Sequence, residues 1–167
     1  MSAHLPESVD AWRMVAARRS FTGALPVAGL TRLAGLLAAD DGSVAYRLEF
    51  GRDELGTRYL ALEATASVRL LCQRTLEPFD ATLQVAQRLG LIADEAEEAG
   101  LPPRHEPLLV QGPLRLAEVI EDELLLALPL VPVRPGSEAA LAPWLAAGPA
   151  GEASAKPFAA LQQLKHD

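Results

Sequence analysis

Leu60-Ala-Leu-Glu-Ala-Thr-Ala-Ser-Val-Arg-Leu-Leu-Cys72 decides the fold class. In an extended chain Leu60, Leu62, Ala64, Ala66, Val68, Leu70 and Cys72 share one face, while Glu63, Thr65, Ser67 and Arg69 share the other. That two-residue period belongs to a half-buried strand, and the same alternation flanks it. Upstream, Val44, Tyr46, Leu48 and Phe50 alternate with Ala45, Arg47 and Glu49, and the turn-like residues Gly51 to Gly56 lead into the longer strand. Downstream, Phe79, Ala81, Leu83, Val85 and Leu89 alternate with Asp80, Thr82, Gln84 and Arg88. Short connections predict an antiparallel meander with one wet face, able to curl towards a barrel.

The dry face needs a cover, and residues 113–133 supply one. Leu116, Val119, Ile120, Leu124 and Ala127 recur at helical spacing, which predicts a long amphipathic helix of about three to four turns packed on the sheet. Pro113 sits ahead of it and Pro129 stops it. Glu118, Glu121 and Asp122 are expected to point away as a solvated acidic side. Glu123 breaks the pattern. It points between Val119 and Ala127, where an ionised carboxylate needs a partner. The class is therefore α+β.

Around this centre the remaining chain reads as short elements. A first helix is expected over Ser8 to Arg19, capped by Ser8 and ended by the break at Gly23 to Pro26; a second starts at Thr31 as its cap. Residues 90–107 read as an acidic, proline-containing surface loop, after which Leu108, Leu109 and Val110 could add a fourth strand. This gives one domain over 1–133, an Ala/Gly/Pro-rich linker over 134–155 and a docking tail over 156–167 whose apolar residues include Phe158.

The 167 residues carry 15 basic and 22 acidic side chains, a net charge of -7. That balance argues against a surface that coats nucleic acid indiscriminately, and DNA is not an expected partner. One cysteine excludes an internal disulfide and fits a reducing compartment. Neither a leader pattern nor a run of about 18 apolar residues is present, so the expectation is a cytoplasmic protein without a membrane span.

No Gly-rich phosphate loop, Gly-x-Ser-x-Gly turn or metal-spaced cluster occurs, so the expectation is a non-enzymatic protein with no cofactor and no metal. His4, His105 and His166 read as solvated, and Cys72 as a small core residue. Arg74 is more informative. Two residues beyond Cys72, it would project to the same side and could form a partly buried clasp with Glu123; alternatively it lies exposed in the turn while Glu123 reaches the helix edge. Arg47, Arg69 and Arg88, with Tyr59, could contact RNA from the wet face, or could form an ordinary charged surface. Glu118, Glu121 and Asp122 would suit a basic protein partner, and Phe158 an apolar contact.

Several blocks together resemble a family. Cys72-Gln73-Arg74, Pro78-Phe79, the run Val119 to Pro129, Val131-Pro132-Val133 and Lys156-Pro157-Phe158-Ala159 resemble the bacterial YceD family in order along the chain. The block Glu121-Asp122-Glu123-Leu124-Leu125-Leu126-Ala127-Leu128-Pro129 is the specific part. The resemblance implies a role in the synthesis, processing or stability of 23S rRNA in large-subunit biogenesis, through rRNA or a large-subunit ribosomal protein. It also implies, in many members, a second cysteine at the hairpin and further ones after the helix, in a layout that looks like a zinc site. Here Thr75 stands at the hairpin position and Arg134, Pro135, Gly136 and Ser137 follow the helix, so no metal is expected. A general protein-interaction or chaperone-like module unconnected with rRNA is the alternative. The ligand and the oligomeric state stay open.

Overall fold

The computed structural model describes residues 5–141. Five strands form one open sheet in the order β1-β2-β3-β4-β5: β1 Ser20–Pro26, β2 Ser43–Arg52, β3 Arg58–Leu71, β4 Pro78–Ile92 and β5 Glu106–Leu109. The first four are antiparallel, and β5 runs parallel to β4. The sheet does not close into a barrel, because β1 and β5 remain unpaired edges. Nor is it a pure meander. A parallel neighbour needs a crossover, and residues 93–105, with a short 3-10 helix at Glu95–Gly100, carry the chain back to the start of β5.

The expected alternation is plain in β3, where every second residue from Leu60 to Leu70 is buried. On this dry face Leu48, Leu60, Leu62 and Leu70 meet Leu116, Ile120 and Leu124 in one continuous core. Each such leucine contributes roughly 2 kcal/mol of transfer free energy on burial. The covering helix, α3, spans Leu116–Leu126, only 11 residues. It ends before Pro129, with Ala127 as its C-cap. A β-bridge between Val9 and Leu114 ties the chain start to the segment entering α3.

Three N-terminal expectations are corrected. The first helix, α1, is Ala11–Ala16, and its cap is Asp10, whose carboxylate accepts from Arg13 N at 3.1 Å, not Ser8. The segment taken as a break is strand β1. Its period is masked because Gly23 occupies an inward position, where a Cβ would come 2.7 Å from the hydroxyl of Tyr46. The second helix, α2, is Thr31–Ala34, with Thr31 inside it and Leu30 as an N-cap without a side-chain bond. Beyond Val133, Ser137 is buried and accepts from Arg74. The tail with Phe158 lies outside the described residues.

Candidate functional site

Glu118, Glu121 and Asp122 of α3 each have a partner within the domain. Glu121 is buried, and its Oε1 accepts from the backbone amides of Arg32 at 2.8 Å and Leu33 at 3.1 Å. Its Oε2 accepts from Arg32 Nε at 2.9 Å, and Arg32 Nη1 reaches Asp122 at 2.6 Å. Glu118 pairs with Arg115 at 2.8 Å. The expected solvated face offered to a partner is thus corrected for Glu121, which faces inward because α2 has no cap of its own. Burial pushes the Glu121 carboxyl up, but the Leu33 amide and Arg32 together hold it below the ordinary carboxylate range.

Glu123 is buried as the helical period requires, yet the expected clasp with Arg74 does not form. Arg74 instead donates to Ser137 Oγ at 3.1 Å and pairs with Glu138 at 3.3 Å. The reason lies in the hairpin tip. Gln73 N donates to Pro132 O at 2.8 Å, which lays the chain beyond α3 across the tip and puts 134–138 within reach of Arg74. Glu123 is left with carboxylate neighbours; burial, then Glu106 and Asp122, push its carboxyl up.

Cys72 lies fully buried in the same clasp, and its sulfur accepts from Arg134 N at 3.4 Å. That amide, with the Thr75 hydroxyl beside it, holds the thiol down at about 6. Arg134 also pairs with Glu77. One sulfur, two hydroxyls and two guanidinium groups do not fit a zinc ion, which needs several thiolate or imidazole donors. The protein's own hydrogen bonds join turn to helix exit here.

The wet face holds the remaining candidates. Arg47 is bonded to Glu49 through Nε at 2.9 Å, and Arg69 to Asp80 at 3.1 Å. Both are neutralised by residues of the same sheet. Arg88 has no carboxylate partner among the described residues and stands 4.4 Å from the centroid of the Tyr59 ring. Tyr59 crosses Gly51, where a Cβ would approach its ring to 2.7 Å, so only glycine leaves room. Behind Tyr59 lies His105, which is buried rather than solvated. Neither of its ring nitrogens has a hydrogen-bond partner, and Asp53 Oδ2 is 3.8 Å from Nε2. Burial holds the imidazole below its ordinary value, partly opposed by Asp53.

Sequence reading missed the basic end of this face. Arg18, Arg19 and Arg52 line an open notch of about 300 Å³ with Ser20, Glu49 and Tyr59. Only the pairing of β1 with β2 brings residues 18–20 beside residues 49–52, and β1 was not legible. The double arginine at 18–19 was the available signal.

Fold and surface define a small α+β domain with an open polar sheet face. The chain belongs to the YceD family: residues 60–165 match the family described as large ribosomal RNA subunit accumulation protein YceD. It is 30% identical over 131 residues to a Haemophilus influenzae protein named large ribosomal RNA subunit accumulation protein YceD, covering 77% of this chain and 75% of that protein. No solved structure matches the chain. No helix among the described residues is long and apolar enough to cross a membrane.

Proposed function

We propose that this protein is a non-enzymatic cytoplasmic factor that supports accumulation of 23S rRNA by binding precursor RNA or a protein of the large subunit. The observation that carries this reading is the family match, which runs from the start of β3 through α3 and the clasp into the C-terminal segment. Three features support a binding role. Glu118, Glu121 and Asp122 of α3 cap and pair within the domain, Cys72 is enclosed, and the open sheet face presents small and polar side chains around Tyr59 and Arg88.

Sedimentation of tagged protein from growing cells tests it. The expected result is co-migration with large-subunit precursors; nuclease-sensitive recovery marks RNA contact, and nuclease-resistant recovery of a ribosomal protein marks an adaptor. A protein that stays at the top of the gradient throughout growth contradicts the reading.

A further inference from the structure

We propose that the notch at the end of the wet face binds the phosphodiester backbone of single-stranded RNA, with Arg18, Arg19 and Arg52 as the phosphate contacts. This rests on the rRNA reading above and names the surface that would serve it.

The argument starts from charge. Most arginines of this acidic chain face a carboxylate, as Arg32, Arg47, Arg58, Arg69, Arg104 and Arg115 do. Arg13, Arg18, Arg19, Arg52 and Arg88 have no carboxylate partner among the described residues. Arg13 stands apart on α1, and the other four gather at the corner around Tyr59. Arg18, Arg19 and Arg52 are exposed around the notch, and Arg88, outside its lining, stands on the ring of Tyr59, which is part of it. Glu49, the one acid in the lining, is held by Arg47. The corner therefore carries uncompensated positive charge on a molecule whose net charge is -7.

Backbone conformation fixes where Arg18 stands. Arg18 has φ 48°, the left-handed region, where α1 ends through Arg18 N to Val15 O at 3.2 Å and Arg19 N to Met14 O at 3.1 Å. Glycine takes this helix-ending position with less strain. An arginine takes this position here, exposed at the notch, where glycine would end the helix at lower cost.

The shape selects the ligand class. The notch is open and opens onto the sheet, so it cannot enclose a metabolite, but a strand can pass through it. Guanidinium forks match phosphate oxygens, and a sheet face bearing an aromatic ring admits an unpaired strand where a duplex would be held off. The acidic remainder of the surface repels RNA elsewhere, which confines contact to this corner. Arg18, Arg19, Arg52 and Tyr59 all precede the segment matched by the family model, so the inference stands on this chain's own geometry.

Binding of a short labelled oligouridine RNA to the full chain, followed by fluorescence anisotropy against salt, tests it, with oligoglutamate as a protein-like polyanion. Three phosphate contacts give a log-log salt slope of about -2. Arg18→Gly relieves the strained backbone, so the fold is retained, and it is expected to weaken binding several-fold while lowering the slope by about 0.7. The triple change to alanine at Arg18, Arg19 and Arg52 is expected to lose more than about tenfold, and alanine at the paired Arg47 and Arg69 less than about twofold. Absence of RNA binding, binding that Arg18→Gly and the triple variant leave intact, or equal binding of oligoglutamate overturns the site. The rRNA level in cells is read separately, so failure here and failure of the functional reading are told apart.

Discussion

Glu121 of α3 caps α2: one carboxylate oxygen accepts from Arg32 N and Leu33 N at 2.8 and 3.1 Å, and the other holds the Arg32 side chain at 2.9 Å. Two elements 89 positions apart are thereby fixed by one side chain. A four-residue helix cannot hold itself by backbone bonding alone, since its first amides have no internal partner. Glu121→Ala is expected to cost roughly 2–3 kcal/mol, from a lost cap and stranded amides. Because the folded carboxyl is held below its ordinary value, this stability is present above the unfolded pKa and is lost as pH falls through the folded one. Urea unfolding of both proteins at neutral and acid pH measures it.

Glu123 behaves in the opposite sense. Burial, Glu106 and Asp122 push its carboxyl up, so its contribution to stability is present below the unfolded pKa and is lost as pH rises through the folded one. Its ionised form is disfavoured there, among apolar residues and other carboxylates. Glu123→Gln is expected to raise the thermal midpoint near neutral pH, with the gain vanishing below about pH 4, where both side chains are neutral. A lowered midpoint at neutral pH would show that Glu123 has a cationic partner after all.

His105 sets a third pH dependence. Burial holds its folded pKa down, so stability is full above the unfolded value and falls as pH drops towards the folded one. As pH falls through the ordinary imidazole range, about 6.5, the native protein is expected to lose stability. His105→Leu, which also removes two buried nitrogens without partners, should flatten that slope and be neutral or stabilising by about 1 kcal/mol. An unchanged slope in urea unfolding would place the titration elsewhere.

The clasp can be read through its cysteine. Cys72 is enclosed, and the amide that holds its thiol down at about 6 belongs to the closed clasp, so opening exposes the sulfur to reagent while returning its pKa towards the ordinary thiol range. Arg74→Ala removes the bonds to Ser137 and Glu138 and is expected to speed native-state alkylation of Cys72 by about three- to tenfold, matching the loss of about 1 kcal/mol of local hydrogen bonding. A rate unchanged by the substitution would show that Arg74 does not hold the clasp shut.

How much of this was legible in sequence depends on periodicity. β2, β3 and most of β4 announce themselves because one face is dry and the other wet, and α3 does so because its leucines recur at helical spacing. β1 does not, since its inward Gly23 is there to clear Tyr46, a partner that only the fold supplies. The parallel β5 and the burial of His105 likewise depend on a crossover that no local pattern encodes. The same holds for the sites. The position of Glu123 within the apolar face follows from 100° per residue, but its partner does not. Strand parity allows Arg74 either to reach Glu123 or to lie in the turn, whereas the chain after α3 crosses the hairpin tip and brings Ser137 and Glu138 closer. Arg47 and Arg69 sit on the predicted face, while the acids that neutralise them come from sequence neighbours and the adjoining strand.

The central claim, that this chain supports accumulation of 23S rRNA, is tested most directly by the ratio of mature 23S to 16S rRNA in a strain lacking the protein and in the same strain with it restored. The expected result is a selective 23S deficit that the restored gene corrects. An equal ratio in both strains across growth conditions would contradict it.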